Sequence, residues 1–301
     1  MRTRQRLLLS LLAIALLACL IATAVSVNQQ LRQDGLDRAL IQAVKELDAP
    51  GVERLLAQGA SANARDAGGP PLTLMGVMKL AVARLQGRPT SASRSVPLLL
   101  LPYDRPGVAW WRHPGAAGFP REAVSITKRL LSYAADPNVA NDDGKTLVYI
   151  ASFYGYDQTL AELIRRHADV NRPDCDGMTP LMVAQEESPC TSILLRAGAN
   201  VDARDGEKKA AIMYAESGGR KLTLLLRAGA DVNVADGMGR TRLILSAMDP
   251  EMESDEARLL ISFGADPNRR DCLGRTALEY AVTNENRPVT ALLRTLRALK
   301  R

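Results

Sequence analysis

The chain has 301 residues, of which 47% are hydrophobic and 24% charged, and its formal net charge is +6. Three of these charges belong to Arg2, Arg4 and Arg6, which leaves +3 on the rest of the chain. So small a charge, with no basic stripe interleaved with aromatics, excludes a nucleic-acid-binding surface. We therefore expect no nucleic-acid partner.

The N-terminal segment Leu7–Val27 is an uncharged stretch of 21 residues that follows the three arginines. A helix of this length, rising about 1.5 Å per residue, matches a bilayer core of about 30 Å. The arginines favour a cytoplasmic N-terminus, with the rest of the chain on the outer side. We predict that residues 1–27 are a signal anchor or signal peptide and that residues 28–35 are a short linker.

Three interpretations of this segment remain open. A signal anchor makes the protein a single-pass inner-membrane protein whose residues 36–301 lie in the periplasm. Cleavage after Ala22-Thr23-Ala24 makes it a secreted or periplasmic protein. Lipidation at Cys19 is the third interpretation. Residues 28–301 are exported in each case.

A turn that ends in asparagine, or in aspartate in its place, recurs along residues 36–301. After a first spacing of 75 residues, the following spacings are 33, 31, 31 and 35 residues. The residues in question are Asn63, Asn138, Asn171, Asp202, Asn233 and Asn268. An aliphatic pair precedes each turn, as Leu194-Leu195 does. This period is typical of a solenoid, in which each unit buries its apolar face against the next.

A second motif, Asp/Asn-x-x-Gly-x-Thr, follows the turns, for example at Asp174–Thr179 and Asp271–Thr276. The glycine supplies the positive φ of a tight hairpin, and the threonine is a good N-cap for a following helix. We predict seven helix pairs, which begin near residues 36, 70, 144, 177, 208, 239 and 274. The first and last pairs are expected to cap the array.

An insertion at about residues 85–121 interrupts the second helix pair. Its six prolines exclude one long helix. It also holds both tryptophans, Trp110 and Trp111, and loops of this length are commonly functional. Two interpretations stay open: the tryptophans contact a partner, or they fold back as a satellite core.

The remaining reactive side chains predict no catalytic or metal site. Cys175 and Cys272 occupy the same hairpin position three repeats apart, too far for a disulfide, and Cys190 lies in an inter-helix turn. The acidic turn at residues 249–256 lacks the glycine of a calcium loop. His113 and His167 are the two histidines, and no nucleophile or phosphate-binding motif occurs. We expect no enzymatic activity, cofactor, metal or small-molecule substrate.

The repeat pattern resembles the ankyrin repeat over roughly residues 36–299. Gly177-Met-Thr179-Pro180-Leu181-Met182-Val183-Ala184 is close to that family's G-x-TPLH-x-A motif, although its histidine is replaced in every repeat. The resemblance implies an all-α solenoid, here preceded by an N-terminal transmembrane or signal helix. The N-terminal segment makes this an exported, membrane-anchored type, and the excess of arginine, 31 Arg against 8 Lys, favours a bacterial source with a GC-rich genome.

The same resemblance implies a protein-binding scaffold whose hairpin tips and first helices line a concave groove. Aromatic residues are concentrated on the first helix after the insertion, so we predict that Trp110, Trp111, Phe153 and Tyr154 contact the partner. The alternative function is an inhibitor or immunity protein that occludes an enzyme of the cell envelope. The sequence names neither the partner nor the oligomeric state.

Overall fold

The computed structural model describes residues 2–46, 48–66, 96–97, 121–251 and 254–299, with side chains except those of residues 2–20, 65–66, 96–97, 121–122 and 297–299. The chain divides into two compact units, residues 1–106 with 120–136, and residues 107–119 with 137–301. The described regular structure is almost entirely helical, which confirms the all-α prediction. The helix expected near residue 70 lies outside the described residues.

The described residues of the first unit form three helices and one short ladder. Its elements are α1 (Arg2–Glu46), α2 (Ala49–Ala57), β1 (Arg65–Asp66), β2 (Val96–Pro97) and α3 (Arg121–Ser132), with β1 and β2 antiparallel. Helix α2 packs against α1 and α3. Fully buried Leu40, Val44, Val52, Ile126 and Leu130 form the core between them.

Helix α1 runs through residues 28–35, where we expected a linker. The Gln33 amide donates a hydrogen bond to the Gly59 carbonyl at 3.0 Å, and the Asp37 carboxylate accepts the Ser61 N–H at 2.7 Å. These bonds tie the second half of α1 to the first repeat turn.

The predicted anchor Leu7–Val27 lies in the same helix, but the side chains of residues 7–20 are outside the described ones. Within the described residues, no helix has both the length and the apolar character needed to cross a membrane.

The second unit contains five repeats, each made of a hairpin, a first helix and a second helix. Its helices are α4 (Leu147–Tyr154), α5 (Asp157–Arg165), α6 (Pro180–Val183), α7 (Cys190–Arg196), a 3-10 helix (Ala211–Tyr214), α8 (Arg220–Arg227), α9 (Arg242–Met248), α10 (Ser254–Ser262), α11 (Ala277–Thr283) and α12 (Arg287–Leu299). First helices pack on first helices, as α4 does on α6 and α9 does on α11.

The first helices begin where the threonine motif predicts, with one exception. Thr146 and Thr241 accept the N–H three residues later at 3.2 and 3.3 Å, which caps α4 and α9. In the third repeat the corresponding residue is Ala210, which has no hydroxyl to cap with. The helix pair predicted to begin near residue 208 is present, but its first member is a single 3-10 turn, Ala211–Tyr214, and not an α-helix.

The recurring asparagines join consecutive repeats. The Asn171 Oδ1 accepts the Asn200 N–H at 2.7 Å, and its Nδ2 donates to the Gly198 carbonyl at 3.3 Å. Asn233 makes the same pair of bonds to the fifth repeat, and Asn63 makes it within the first unit. Between the turns lies the predicted leucine core: Leu163, Leu194, Leu225 and Leu260 are fully buried.

Candidate functional site

The five hairpins of the second unit share one construction, in which a single side-chain oxygen organises the turn. The Asp174 Oδ1 accepts the backbone N–H groups of Asp176 at 3.0 Å and Met178 at 2.9 Å. The same bonds, to the residues two and four positions later, are made by Asn141, Asp205, Asp236 and Asp271. The first residue of the sequence motif therefore fixes each hairpin from within.

Backbone hydrogen bonds connect successive hairpin tips. The Cys175 N–H donates to the Asp143 carbonyl at 2.9 Å, and the Cys272 N–H donates to the Met238 carbonyl at 2.9 Å. The two intermediate bonds run from Gly206 to Asp176 and from Gly237 to Glu207. The tips of the five hairpins are therefore joined one to the next along the second unit.

Three tyrosines of the first helices belong to this hairpin network. The Tyr280 hydroxyl donates to the Asp271 carboxylate at 2.6 Å, and the Arg275 guanidinium lies 5.5 Å from the ring centroid. Burial opposes ionisation of Asp271, but the bonds from Tyr280 and the turn amides outweigh it and lower the pKa of this carboxyl. Tyr214 has the same arrangement with Lys209 and Asp205 of its own hairpin. Tyr149 lies under Lys145 of its own hairpin but interacts with Asp174 of the next one.

A different group of aromatic side chains stays at the surface. We call Phe153, Tyr154 and Tyr156 the aromatic patch. The rings of Phe153 and Tyr154 meet edge to face with centroids 4.9 Å apart, and Tyr154 stacks on Tyr156 at 5.6 Å. Phe153 is 51% exposed, and Tyr154 is half-buried, which raises the pKa of its hydroxyl. The patch lies where α4 ends, at the left-handed Gly155.

The inter-helix turns of neighbouring repeats contact this end of α4. The Gln185 N–H donates to the Ser152 carbonyl at 3.0 Å. A Cβ on Gly155 would lie 2.2 Å from the Gln185 Oε1, so this turn approaches the patch closely. The next turn along joins through Glu186, whose carboxylate accepts the Lys221 N–H at 2.6 Å and the Glu216 N–H at 3.4 Å. Glu187 and Glu216 are exposed beside these bonds.

Two buried cations, Lys221 and Arg242, bond to backbone carbonyls of the preceding repeat. No sequence motif indicates them. Lys221 is 2% exposed, and its Nζ donates to the carbonyls of Met182 at 2.8 Å and Ala184 at 2.9 Å. Burial lowers the pKa of this ammonium to about 8, although Glu186 and Glu216 oppose the shift. Arg242 is similarly buried in the fourth repeat. Both cations have a structural role.

The structure brings two of the four predicted contact residues together. Phe153 and Tyr154 are adjacent in the aromatic patch, whereas Trp110 and Trp111 lie outside the described residues. Cys175, Cys190 and Cys272 are free thiols, as expected. Asp142, Asp143 and Asp176 are exposed on hairpin tips, and Glu187 is exposed on an inter-helix turn. Over the described ranges, no three His, Cys, Asp or Glu side chains are grouped for a metal ion.

Comparison with known proteins agrees with this architecture. A family model described as "Ankyrin repeats (3 copies)" matches residues 116–205 and again residues 207–298, together more than half of the chain. A curated relative, the ankyrin repeat-containing protein P1E11.10 of Schizosaccharomyces pombe, is 33% identical over 63 residues. That match covers 21% of this chain and 30% of the relative.

Proposed function

The chain belongs to the ankyrin-repeat family, and from this premise we propose that it is a non-catalytic scaffold whose second unit binds another protein. Solenoids of this kind present an extended surface of helices and tips to a partner. In this chain the hairpin network fixes that surface, and the described part of it contains no group of side chains arranged for metal binding. Binding, rather than chemistry, is the function that these features support.

The observation that carries the proposal is the exposure of Phe153. It is 51% accessible while its ring contacts Tyr154, in a chain with only twelve aromatic residues. Large aromatic side chains at a surface are characteristic of the energetically dominant centre of an interface. We place the partner contact at the aromatic patch, and we include Trp110 and Trp111 because both tryptophans occur in the one large break of the repeat pattern.

Photocrosslinking tests this placement. The full chain carries p-benzoylphenylalanine in place of Phe153, or in place of Phe263 as the matched control, and is expressed in its native cells. Phe263 is also exposed, at 41%, but it follows a second helix. A discrete protein adduct at position 153, absent at 263, supports the proposal. Equal labelling at both positions, or none at 153, contradicts it.

We extend the proposal to the location of the protein: residues 28–301 are presented on the outer side of the inner membrane. Support comes from the sequence, in the 21 uncharged residues of Leu7–Val27 behind three arginines. Alkaline phosphatase fused after Arg301 should be active, and the protein should fractionate with membranes. An inactive fusion contradicts export. An active fusion on a chain that begins at Val25 contradicts the anchor and indicates cleavage.

A further inference from the structure

The aromatic patch differs from the other tyrosines of the second unit in one respect, which concerns cations. Tyr149, Tyr214 and Tyr280 each have a lysine or arginine of their own hairpin 5.5 to 5.8 Å from the ring centroid. Among the described residues, no cation lies over Phe153 or Tyr154. Aromatic faces carry the negative part of the ring quadrupole and attract cations. The exposed ring of Phe153 therefore offers a face for a cation supplied by a partner.

Exposed carboxylates lie on the inter-helix turns beside the patch, and Arg220 is an exposed cation shortly after Glu216. The inter-helix turn of the second repeat carries exposed Glu187, and that of the third repeat carries exposed Glu216. The turn of the fourth repeat continues the series with exposed Asp249 and Glu251. We call these four carboxylates the acidic row. The turns that bear its first two members are in direct contact, since the Glu186 carboxylate accepts the Glu216 N–H.

The hairpin end of the helix pairs carries exposed charges of both signs, with Asp142, Asp143, Asp169 and Asp176 near a group of arginines. The arginines lie where the second helices end, one or two residues before the turns that end in Asn171, Asp202 and Asn233. They are Arg165, Arg166, Arg196 and Arg227, and all are exposed. Because the two helices of a repeat run in opposite directions, this end is the hairpin end, away from the inter-helix turns. The mixed charges of the hairpin end give a basic partner no such preference, whereas the acidic row attracts it.

We propose that the partner presents an extended basic segment, whose first arginine or lysine lies over the exposed ring of Phe153 and whose next cations pair with Glu187 and Glu216. This inference rests on the proposed binding function and specifies the chemistry of the ligand. Packed helices lie about 8–10 Å apart, and a polyproline II segment has three residues per turn and advances about 3.1 Å per residue. Cations at every third position of the segment therefore match the repeat spacing.

Fluorescence anisotropy with defined peptides tests this inference on the full chain in a mild detergent. The probe is a fluorescein-labelled peptide of four Arg-Gly-Ser units. One comparison peptide has the same composition with its four arginines consecutive, and another has glutamate in place of arginine. We expect the spaced basic probe to bind at least fivefold more tightly than the clustered one, with no measurable binding of the acidic one. Affinity should fall steeply with salt.

Variants locate the binding site. Phe153→Ala, and Glu187→Gln combined with Glu216→Gln, should each weaken probe binding at least tenfold. Phe263→Ala and Asp169→Asn are the matched controls and should stay within twofold. Asp169 is exposed at the hairpin end, and an amide there keeps the oxygen that accepts the Asn171 N–H at 2.8 Å. Circular-dichroism melts should be unchanged in all four variants, because the altered side chains are exposed.

The possible outcomes distinguish failure of the basic-segment inference from failure of the proposed scaffold function. Equal binding of the acidic and basic peptides, or equal loss in the site and control variants, overturns the basic-segment inference. A protein adduct at position 153 without binding of the basic probe leaves the scaffold standing and refutes the ligand chemistry. Absence of both the adduct and probe binding refutes both proposals.

Discussion

Arg242 and Glu256 form a two-point ion pair inside the fourth repeat, with Nε 2.8 Å from Oε1 and Nη2 3.2 Å from Oε2. The side chains are 9% and 2% exposed. The remaining Nη1 donates to the Met213 carbonyl of the third repeat at 3.2 Å. The pair thus links the first and second helices of one repeat to the first helix of the previous repeat.

Removing one member of this pair should be far more damaging than removing both. Glu256→Gln leaves the buried guanidinium without its charge partner and should lower the free energy of unfolding by about 3–5 kcal/mol. Arg242→Met with Glu256→Leu fills the same space without charge, so we expect a smaller loss. Urea denaturation followed by circular dichroism measures both. A double variant as unstable as the single one would show that packing, and not the unpaired charge, dominates.

Lys221 should give the protein a distinctive pH dependence. Its folded pKa of about 8 lies below the unfolded value of 10.5. Between these two values the unfolded chain binds more protons at this site, so stability rises with pH in that window. The difference in unfolding free energy between wild type and Lys221→Met should increase by roughly 2 kcal/mol from pH 8 to pH 10. A difference that decreases over this range would mean that the folded state favours the charged lysine.

Two glycines with similar backbone angles should respond differently to alanine. Gly177 and Gly198 have φ values of 81° and 85°, so alanine is strained at both by about 1–2 kcal/mol. At Gly177 a Cβ would also lie 3.1 Å from backbone atoms of the next hairpin, at Asp205 and Gly206, whereas at Gly198 it meets open space. Gly177→Ala should therefore lower the thermal unfolding midpoint distinctly more than Gly198→Ala. Equal midpoints would mean that the hairpins can separate at little cost.

One substitution among the turn residues that join consecutive repeats should raise the stability of the protein. Asp202 accepts the Asp231 N–H at 2.9 Å, but it has no amide with which to bond the following carbonyl, as Asn171 and Asn233 do. Asp202→Asn supplies that donor and should raise the free energy of unfolding by about 0.5–1.5 kcal/mol. The reverse change, Asn233→Asp, should lower it by a similar amount. Chemical denaturation measures both changes in unfolding free energy. A loss of stability in Asp202→Asn would contradict this account of the hydrogen bonds between turns.

The sequence by itself determined the repeat architecture. The Asn171-type turns, the buried Leu194-type positions and the left-handed glycines such as Gly198 all follow from a period of 31 to 35 residues. This succeeds because every repeat meets an almost identical neighbour, so the local motif and the contact that it makes recur together. The first unit was less predictable from the sequence, because α1 continues through residues 28–35, where composition indicated a linker.

Only the tertiary structure decided which side chains are available for binding. Tyr149 and Phe153 are four residues apart on α4, a spacing that places them on the same helix face. Tyr149 is nevertheless buried against Asp174 of the next hairpin, whereas Phe153 is half exposed beyond the reach of that hairpin. Lys221 likewise reads as a surface residue, until the carbonyls of Met182 and Ala184 in the preceding repeat enclose it. Whether each side chain is buried or exposed depends on which atoms of the adjacent repeat lie opposite it. The periodicity of a sequence does not give the distances between those atoms.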